Sequence, residues 1–436
     1  MYIRSLSFIM KKLYKDTLVI GFALFSMLFG AGNLIFPPYL GLEGGSAWFT
    51  GFICYFIADV GLALLALLAI LKCGGSKKLT SGLGRKSSTA LLCIITLCIG
   101  PLVAVPRTAA TTYELSIKPL TSHIPAFAFS IAFFLLIFIL CIKESAVVDI
   151  VGKILTPGLL IGLLILIVKG ILSPIGEISD VPLVSHVADK GIQAGYQTLD
   201  VLALIVFGVI ILKTADEKGY HTQKEQTKIV TSSGMIACIG LFLTYIGLAY
   251  LGATAFSIFR TEINRSTLII SIVKNILGQP GLVIFSVVVA LACITTALAL
   301  VSSSAEFFTE LFHEKISYKY FVAMICIISA LLSIVGLDAI ILVASPVLDI
   351  IYPPVLTLIL LTLLWRKNQP FKLVLHAAVT SAFIMSILIT ADNLWGLLPM
   401  IQHLPFYSIG FAWVLPMLIC TGICILLETW QQSGRR

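Results

Sequence analysis

Twelve apolar stretches, each about the length needed to cross a bilayer, constrain this chain more than any other feature. They lie at roughly 17–40, 46–71, 89–110, 126–142, 151–172, 197–213, 230–252, 281–305, 318–335, 345–365, 372–391 and 408–427. Hydrocarbon offers no water to backbone N–H and C=O groups, so a spanning segment must satisfy them internally, as a helix does. The reading is an all-α polytopic membrane protein of about 12 transmembrane helices. Composition agrees. The chain of 436 residues is 59% hydrophobic and 11% charged, whereas a soluble domain carries about 25% charge.

The net charge of +8 follows topology. With the N-terminus inside, most of the 29 Lys and Arg residues fall in inner segments. Among them are Arg4, Lys11, Lys12 and Lys15, then Lys72, Lys77, Lys78, Arg85 and Lys86, and later Arg366, Lys367, Lys372, Arg435 and Arg436. That is the inside-positive bias of a protein with an even number of spans. It places both termini in the cytoplasm and leaves no basic excess for a nucleic-acid partner. No cleavable signal peptide is evident, because the apolar run after Lys15 is too long for one.

Several chemistries find no support. There is no GxxxxGK[ST] loop for a nucleotide and no HExxH pair for zinc. The ten cysteines form no CxxC pair, and the six histidines are scattered singly. No protein-bound cofactor is expected, and no cluster of His, Asp or Glu in the spans suggests an enzyme.

The first span holds the most telling local pattern. GFALFSMLFGAGNLIFPPYLG (Gly21 to Gly41) is apolar at both ends but reads FGAGN at its centre, and Gly and Asn are poor helix residues. Loosened backbone inside a membrane is tolerated where it is buried in protein or lines a cavity. If the helix opens here, amides of Gly30, Ala31 and Gly32 point at the occupant. The half-helix from Asn33 onward turns its positive end toward a carboxylate, and carbonyls from Ser26 to Phe29 suit a cation or an ammonium group. The alternative is a packing helix, with Gly30 and Gly32 letting a neighbour come close.

In the sixth span, Phe207-Gly208 interrupts a β-branched apolar run. Glycine-interrupted spans in corresponding positions of two repeats point to an inverted-repeat transporter. The eighth span carries paired hydroxyls at Thr295 and Thr296, with Ser302 to Ser304 further in. Such hydroxyls either bond back to their own helix or join carbonyls in an oxygen cage for an alkali cation. Charge inside a membrane is costly and usually functional. Asp59 in the second span is the clearest isolated case, with a possible ion or gate role. Asp200 lies near the outer end of the sixth span and Asp349 within the tenth, while Arg107 and Glu114 flank the outer end of the third, where they could pair across a gate or mark the interface.

The strings FALFSMLFGAGNLIFPPYLG, GPLVAVPRTAATTYE, GYQTLDVLALIVFG and LACITTALAL resemble the branched-chain amino acid transport system II carriers of bacteria, in matching order over nearly the whole chain. That family is placed in the amino acid–polyamine–cation superfamily. The resemblance implies a symporter importing leucine, isoleucine and valine across the cytoplasmic (inner) membrane, driven by a cation, commonly sodium. GAGNLIFP in the first span also resembles GLGNFRFP of sodium-coupled amino-acid and neurotransmitter symporters. This second likeness implies a five-plus-five inverted-repeat core with discontinuous helices 1 and 6. The whole chain, 1–436, is then one transmembrane domain, with repeats at about 17–172 and 197–365 and two extra helices at about 372–427.

On the same match Asn33 falls on a sodium ligand beside the substrate. Ser26 and Phe29, with Ala292, Thr295 and Thr296, fall on a second sodium site. Gly30, Ala31, Gly32, Phe207 and Gly208 would contact substrate. Ile35 stands where that family has an arginine, so its outer salt-bridge gate is not reproduced. Proton coupling through Asp59, transport of another neutral amino acid, and a channel are the competing readings.

Overall fold

In the computed structural model of the protein, residues 2–121, 123–142, 147–259, 263–365, 372–396, 398–407 and 410–433 are described, with side chains at 2–10, 147–157, 159, 209 and 428–433 set aside. Lys143, Arg260, Arg366, Lys367, Arg435 and Arg436, which enter the charge bias, lie outside the described residues, as do the side chains of Arg4 and Lys153. Every long element among the described residues is a helix.

The first span is two helices, α1 (Tyr2–Leu28) and α2 (Ala31–Gly44). The second runs through α3 (Trp48–Phe56) and α4 (Leu62–Cys73), joined by a π-helical turn at Ile57–Gly61. A short α5 (Ser76–Thr80) precedes the third span, formed by α6 (Arg85–Leu97) and α7 (Ala104–Thr112). Gly100 and Pro101 sit between those two helices, where Gly100 leaves helical geometry and the chain kinks. There follow α8 (Ala126–Ile142), α9 (Val147–Leu172), α10 (Val187–Thr198), α11 (Asp200–Glu217) and α12 (Gln223–Thr254). The chain ends with α13 (Arg265–Leu311), α14 (Tyr318–Ser333), α15 (Leu337–Leu364), α16 (Lys372–Trp395) and α17 (Val414–Ser433).

Six helical stretches among the described residues are long and apolar enough to cross a membrane, and the bent α10–α11 pair makes a seventh. Four shorter apolar helices accompany them. The protein is thus a multi-pass membrane protein. Outward faces of the shorter helices carry Ile131, Leu135 and Ile139 on α8, and Ile161, Ile165 and Val168 on α9. Lipid tails are the natural cover for such surfaces.

One boundary differs from the sequence reading. The tenth span begins at Leu337 rather than near 345, because Gly336 takes a left-handed φ of 92° and starts the helix there. The outer segment 253–280 contains a helix folded over the bundle. Arg265 to Leu277 forms the first part of α13, a kink at Gly278 (φ 69°) follows, and Leu268, Ile269, Ile272 and Val273 are fully buried.

One long helix organises the site. α12 starts with a reciprocal cap in which Thr222 Oγ1 accepts from Glu225 N (3.3 Å) and Glu225 Oε2 accepts from Thr222 N (3.2 Å). It then runs unbroken along both halves of the first span. Ser233 Oγ donates to Thr17 O (3.0 Å) on α1, and Tyr245 stacks on Phe29 at the break (5.9 Å between ring centroids). Towards the C-terminal end of α12, backbones touch. A Cβ placed on Gly41 would lie 1.9 Å from Ala249 O, and one on Gly252 would lie 1.8 Å from Pro38 O. Only glycine at both positions permits that crossing.

Candidate substrate and ion site

The first span breaks where its sequence is weakest. Phe29 N still bonds Phe25 O (2.8 Å), but Gly30 N turns to Leu28 O (3.1 Å) and to Asn33 Oδ1 (3.3 Å). Gly30 is extended (φ −108°, ψ −175°) and α2 restarts at Ala31. The opening N–H groups of α2 have no carbonyl one turn earlier to bond. Downstream, Pro37 and Pro38 cannot donate to the carbonyls of Asn33 and Leu34, so α2 is short of hydrogen bonds at both ends of its first two turns.

The sixth span is interrupted twice. Its hydrogen-bond ladder breaks at Leu199, which adopts a left-handed conformation (φ 72°, ψ 9°). At the expected place, just after Phe207-Gly208, the axis also turns by 49° between Gly208 and Ile210. Gly208 is also a packing position, since a Cβ there would lie 2.8 Å from Ile70 Cδ1 of α4. Leucine carries no signal for positive φ. The conformation is held by its neighbours. Gly191 and Gly195 press α10 onto α3 and the π turn, where a Cβ on Gly191 would meet Gly51 O at 2.3 Å.

The two breaks meet in a buried polar cluster. Asn33 Nδ2 donates to Asp59 Oδ2 (3.2 Å) and to Asp200 Oδ2 (3.1 Å). Thr198 Oγ1 donates to Asp59 Oδ1 (2.8 Å). The π turn in the second span is what turns Asp59 inward, and such bulges recur at functional positions. Arg107 of α7 donates through Nη1 to Gln197 O and through Nη2 to Thr198 O (3.0 Å). Asn33, Asp59, Arg107, Thr198 and Asp200 are all buried, Asp59 completely. Tyr55, Tyr245 and Tyr352 are also fully buried, and no hydrogen bond reaches their hydroxyls.

Two sequence expectations move here. Asp200, read as near an outer end, sits mid-bundle because α10 extends the span outward from Val187. Arg107 and Glu114 do not pair. Glu114 Oε1 accepts from Leu337 N (3.0 Å) and its Oε2 accepts from Ser266 Oγ (2.5 Å), which ties α15 and the outer part of α13 to the third span.

Beside the cluster lies a closed cavity of about 30 Å³. Gly30, Ala31, Phe207 and Thr296 line it together with Arg107, Thr108, Thr198 and Asp200. Its apolar side is built from Met27, Ile99, Leu199, Ala203 and Leu300. Gly32 lies just behind this wall, where a Cβ would stand 3.2 Å from Arg107 Nη2. The volume is that of one water molecule, so an amino acid enters only if the walls part.

Thr295 Oγ1 and Thr296 Oγ1 both donate to Ala292 O, at 2.8 and 3.0 Å. These are back-bonds of hydroxyls to a carbonyl of their own helix. Ser26 lies in the last turn of α1 and Phe29 at the break. Asn33 is differently engaged, with its oxygen on Gly30 N and its nitrogen on the carboxylates. Among the described residues no group of three His, Cys, Asp or Glu could hold a metal ion.

Two ion pairs lie away from the cavity, one on either side. Outside it, a vestibule of about 510 Å³ is lined by Phe36, Tyr39, Glu43, Gln197, Arg265 and Asp338. Arg265 Nη1 donates to Asp338 Oδ1 (3.0 Å) and lies over the Tyr39 ring at 4.6 Å. On the other side, Lys218 Nζ and Tyr220 Oη donate to Asp16 (3.3 and 3.2 Å), tying α1 to the end of α11.

An all-helical bundle with an interrupted first helix beside a closed polar cavity is the architecture of a secondary transporter. The chain shares its fold with Mhp1, a nucleobase-cation-symport-1 family transporter, in a closed conformation (TM-score 0.60, 13% identity, 96% of this chain and 93% of that one). It also shares it with a Na⁺-coupled sialic acid symporter in a substrate-bound outward-open state (TM-score 0.51, 14% identity, 95% and 97%). The chain belongs to the branched-chain amino acid transport protein family, whose model matches residues 13–431. It is 33% identical over 426 residues to the branched-chain amino acid transport system 2 carrier protein of Pseudomonas aeruginosa, covering 95% of this chain and 96% of that one. A Staphylococcus haemolyticus protein named as a branched-chain amino acid carrier is 35% identical over 421 residues, with 92% and 93% covered. These relatives and neighbours are transporters, not enzymes.

Proposed function

We propose that the protein is a symporter that brings leucine, isoleucine and valine across the bacterial cytoplasmic membrane with a cation, sodium in the first instance. The observation that carries this is the single cavity lined by Gly30 and Ala31 of one break, Thr198 and Leu199 of the other, and Thr296 of α13. The amides opening α2 receive the substrate carboxylate. Met27, Ile99, Phe207 and Leu300 receive an aliphatic side chain. Discrimination among the three substrates is modest, because one methylene is worth only about 1–3 kcal/mol.

Sodium would rest on Ala292 O, Thr295 Oγ1 and Thr296 Oγ1, with carbonyls of Ser26 and Phe29. It ties transport to the gradient by binding one conformation more tightly than the other. Both termini face the cytoplasm, and segments 17–172 and 197–365 act as the two repeats. Access alternates by parting the Arg265–Asp338 closure or the Lys218–Asp16 closure.

One observation favours a second reading. Asp59 and Asp200 meet on one amide nitrogen, and two buried carboxylates so close are stable only with a proton or another cation between them. Proton coupling through this pair is the alternative. Leucine uptake into proteoliposomes under an imposed sodium or proton gradient decides between them. Accumulation driven by sodium is expected. Accumulation driven only by protons transfers coupling to the acid pair, and no accumulation under either gradient ends the symporter reading.

A further inference from the structure

Arg107 is a guanidinium in the middle of a membrane protein with Asp200 on the same cavity wall but no carboxylate in ion-pair contact. It is 4% exposed. Its hydrogen bonds run to two neutral backbone oxygens, Gln197 O and Thr198 O, and its Nε has no partner. No Asp or Glu among the described residues lies within ion-pair distance of it. A buried charge solvated only by carbonyls is expensive, and such residues in membranes mark a bound ligand or pathway.

Its position says which ligand. Arg107 lines the closed cavity and stands against Gly32, at the end of α2 where unbonded N–H groups emerge. Guanidinium and helix N-terminus therefore aim at one anion position. The fork of an arginine matches a carboxylate in shape as well as charge. Meanwhile the two carbonyls it occupies are those released by the left-handed turn at Leu199. They are the acceptors that an incoming ammonium group needs, and Asp200 on the same wall supplies the negative field.

We propose that Arg107 receives the carboxylate of the transported amino acid and, while the cavity is closed, stands in for the amino acid's ammonium on Gln197 O and Thr198 O. Binding is then an exchange. The substrate carboxylate draws the guanidinium off the two carbonyls at the end of α10, and the substrate ammonium takes its place there. The protein's own side chain competes with the substrate for one end of the site and holds its other end. This rests on the reading of the cavity as an amino-acid site.

The test compares L-leucine with L-leucinol, which keeps the ammonium and the side chain but has a hydroxymethyl group in place of the carboxylate. Binding of each is measured on the purified full-length protein in nanodiscs, for wild type, R107Q and R107K. Wild type should prefer leucine. R107Q should lose about tenfold to a hundredfold in leucine affinity, the worth of a charge-assisted hydrogen bond, while leucinol binds as well as to wild type or better. R107K keeps the charge without the fork, so its preference for leucine should be intermediate. Equal weakening of both ligands in R107Q would mean a structural role and overturn the proposal, as would unchanged leucine affinity. If R107Q does not fold, R107K decides, and an unchanged leucine-to-leucinol ratio there overturns the proposal equally. Wild type that binds neither compound fails the amino-acid reading itself, a result distinct from any of these.

Discussion

Single residues show how far local chemistry could be read and where it stopped. FGAGN was legible because glycine and asparagine act on their own backbone: Gly30 takes the extended turn and Asn33 catches its N–H. Leu199 was not legible, since its left-handed turn is imposed by packing at Gly191 and Gly195 and by Arg107 on the preceding carbonyls. Arg107 itself read as an end-of-span residue. The available signal was an arginine among small residues in AVPRTAATT with no acid one helical turn away. Of the two alternatives for the paired threonines, the structure shows the back-bond, with Thr295 and Thr296 both donating to Ala292 O. For Thr296→Ala, the expected outcome is an increase of about tenfold in the sodium needed for half-maximal leucine uptake, the effect of losing one ligand oxygen worth about 1–1.5 kcal/mol. An unchanged sodium dependence would take Thr296 out of the ion site.

At the scale of elements, the spans were visible as apolar lengths, and α8 was found at its expected bounds, Ala126–Ile142. What stayed hidden was which span touches which. Nothing local announces that Gly41 on α2 and Gly252 on α12 make reciprocal backbone contact, although a glycine in an apolar helix invites a close neighbour. The contact sets a clean prediction. Gly252→Val must push Pro38 away from α12, and overpacking of this kind costs about 1–3 kcal/mol or more. Thermal unfolding in detergent should move down by several degrees, with loss of substrate binding because α2 carries the cradle. Gly422→Ala on α17, where an added Cβ meets nothing within 4 Å, is the control expected to leave unfolding unchanged. Equal melting temperatures for the two variants would refute the account of this crossing.

At the scale of the whole molecule, ion pairs join distant segments: Arg265–Asp338 beside the vestibule and Asp16–Lys218 between α1 and the end of α11. Sequence reading reached the family but not these pairings, because they depend on side chains brought together from distant segments. The way α12 lies along the first span carries a mechanical consequence. A broken helix is a natural joint, yet this one is splinted: α12 grips α1 at Thr17, the break at Phe29 and α2 at Gly41. The joint is therefore locked, and α1, α2 and α12 should travel as one stiff piece, sliding against α11 and the third span. Strapping the splint should do no harm. A disulfide between cysteines at Gly21 and Ile236, whose Cβ positions are 3.1 Å apart, is expected to leave leucine uptake running, whereas one replacing the Asp16–Lys218 pair should stop it. Uptake halted by the first bond would show that the first span flexes at its break, and that the splint is itself a moving part.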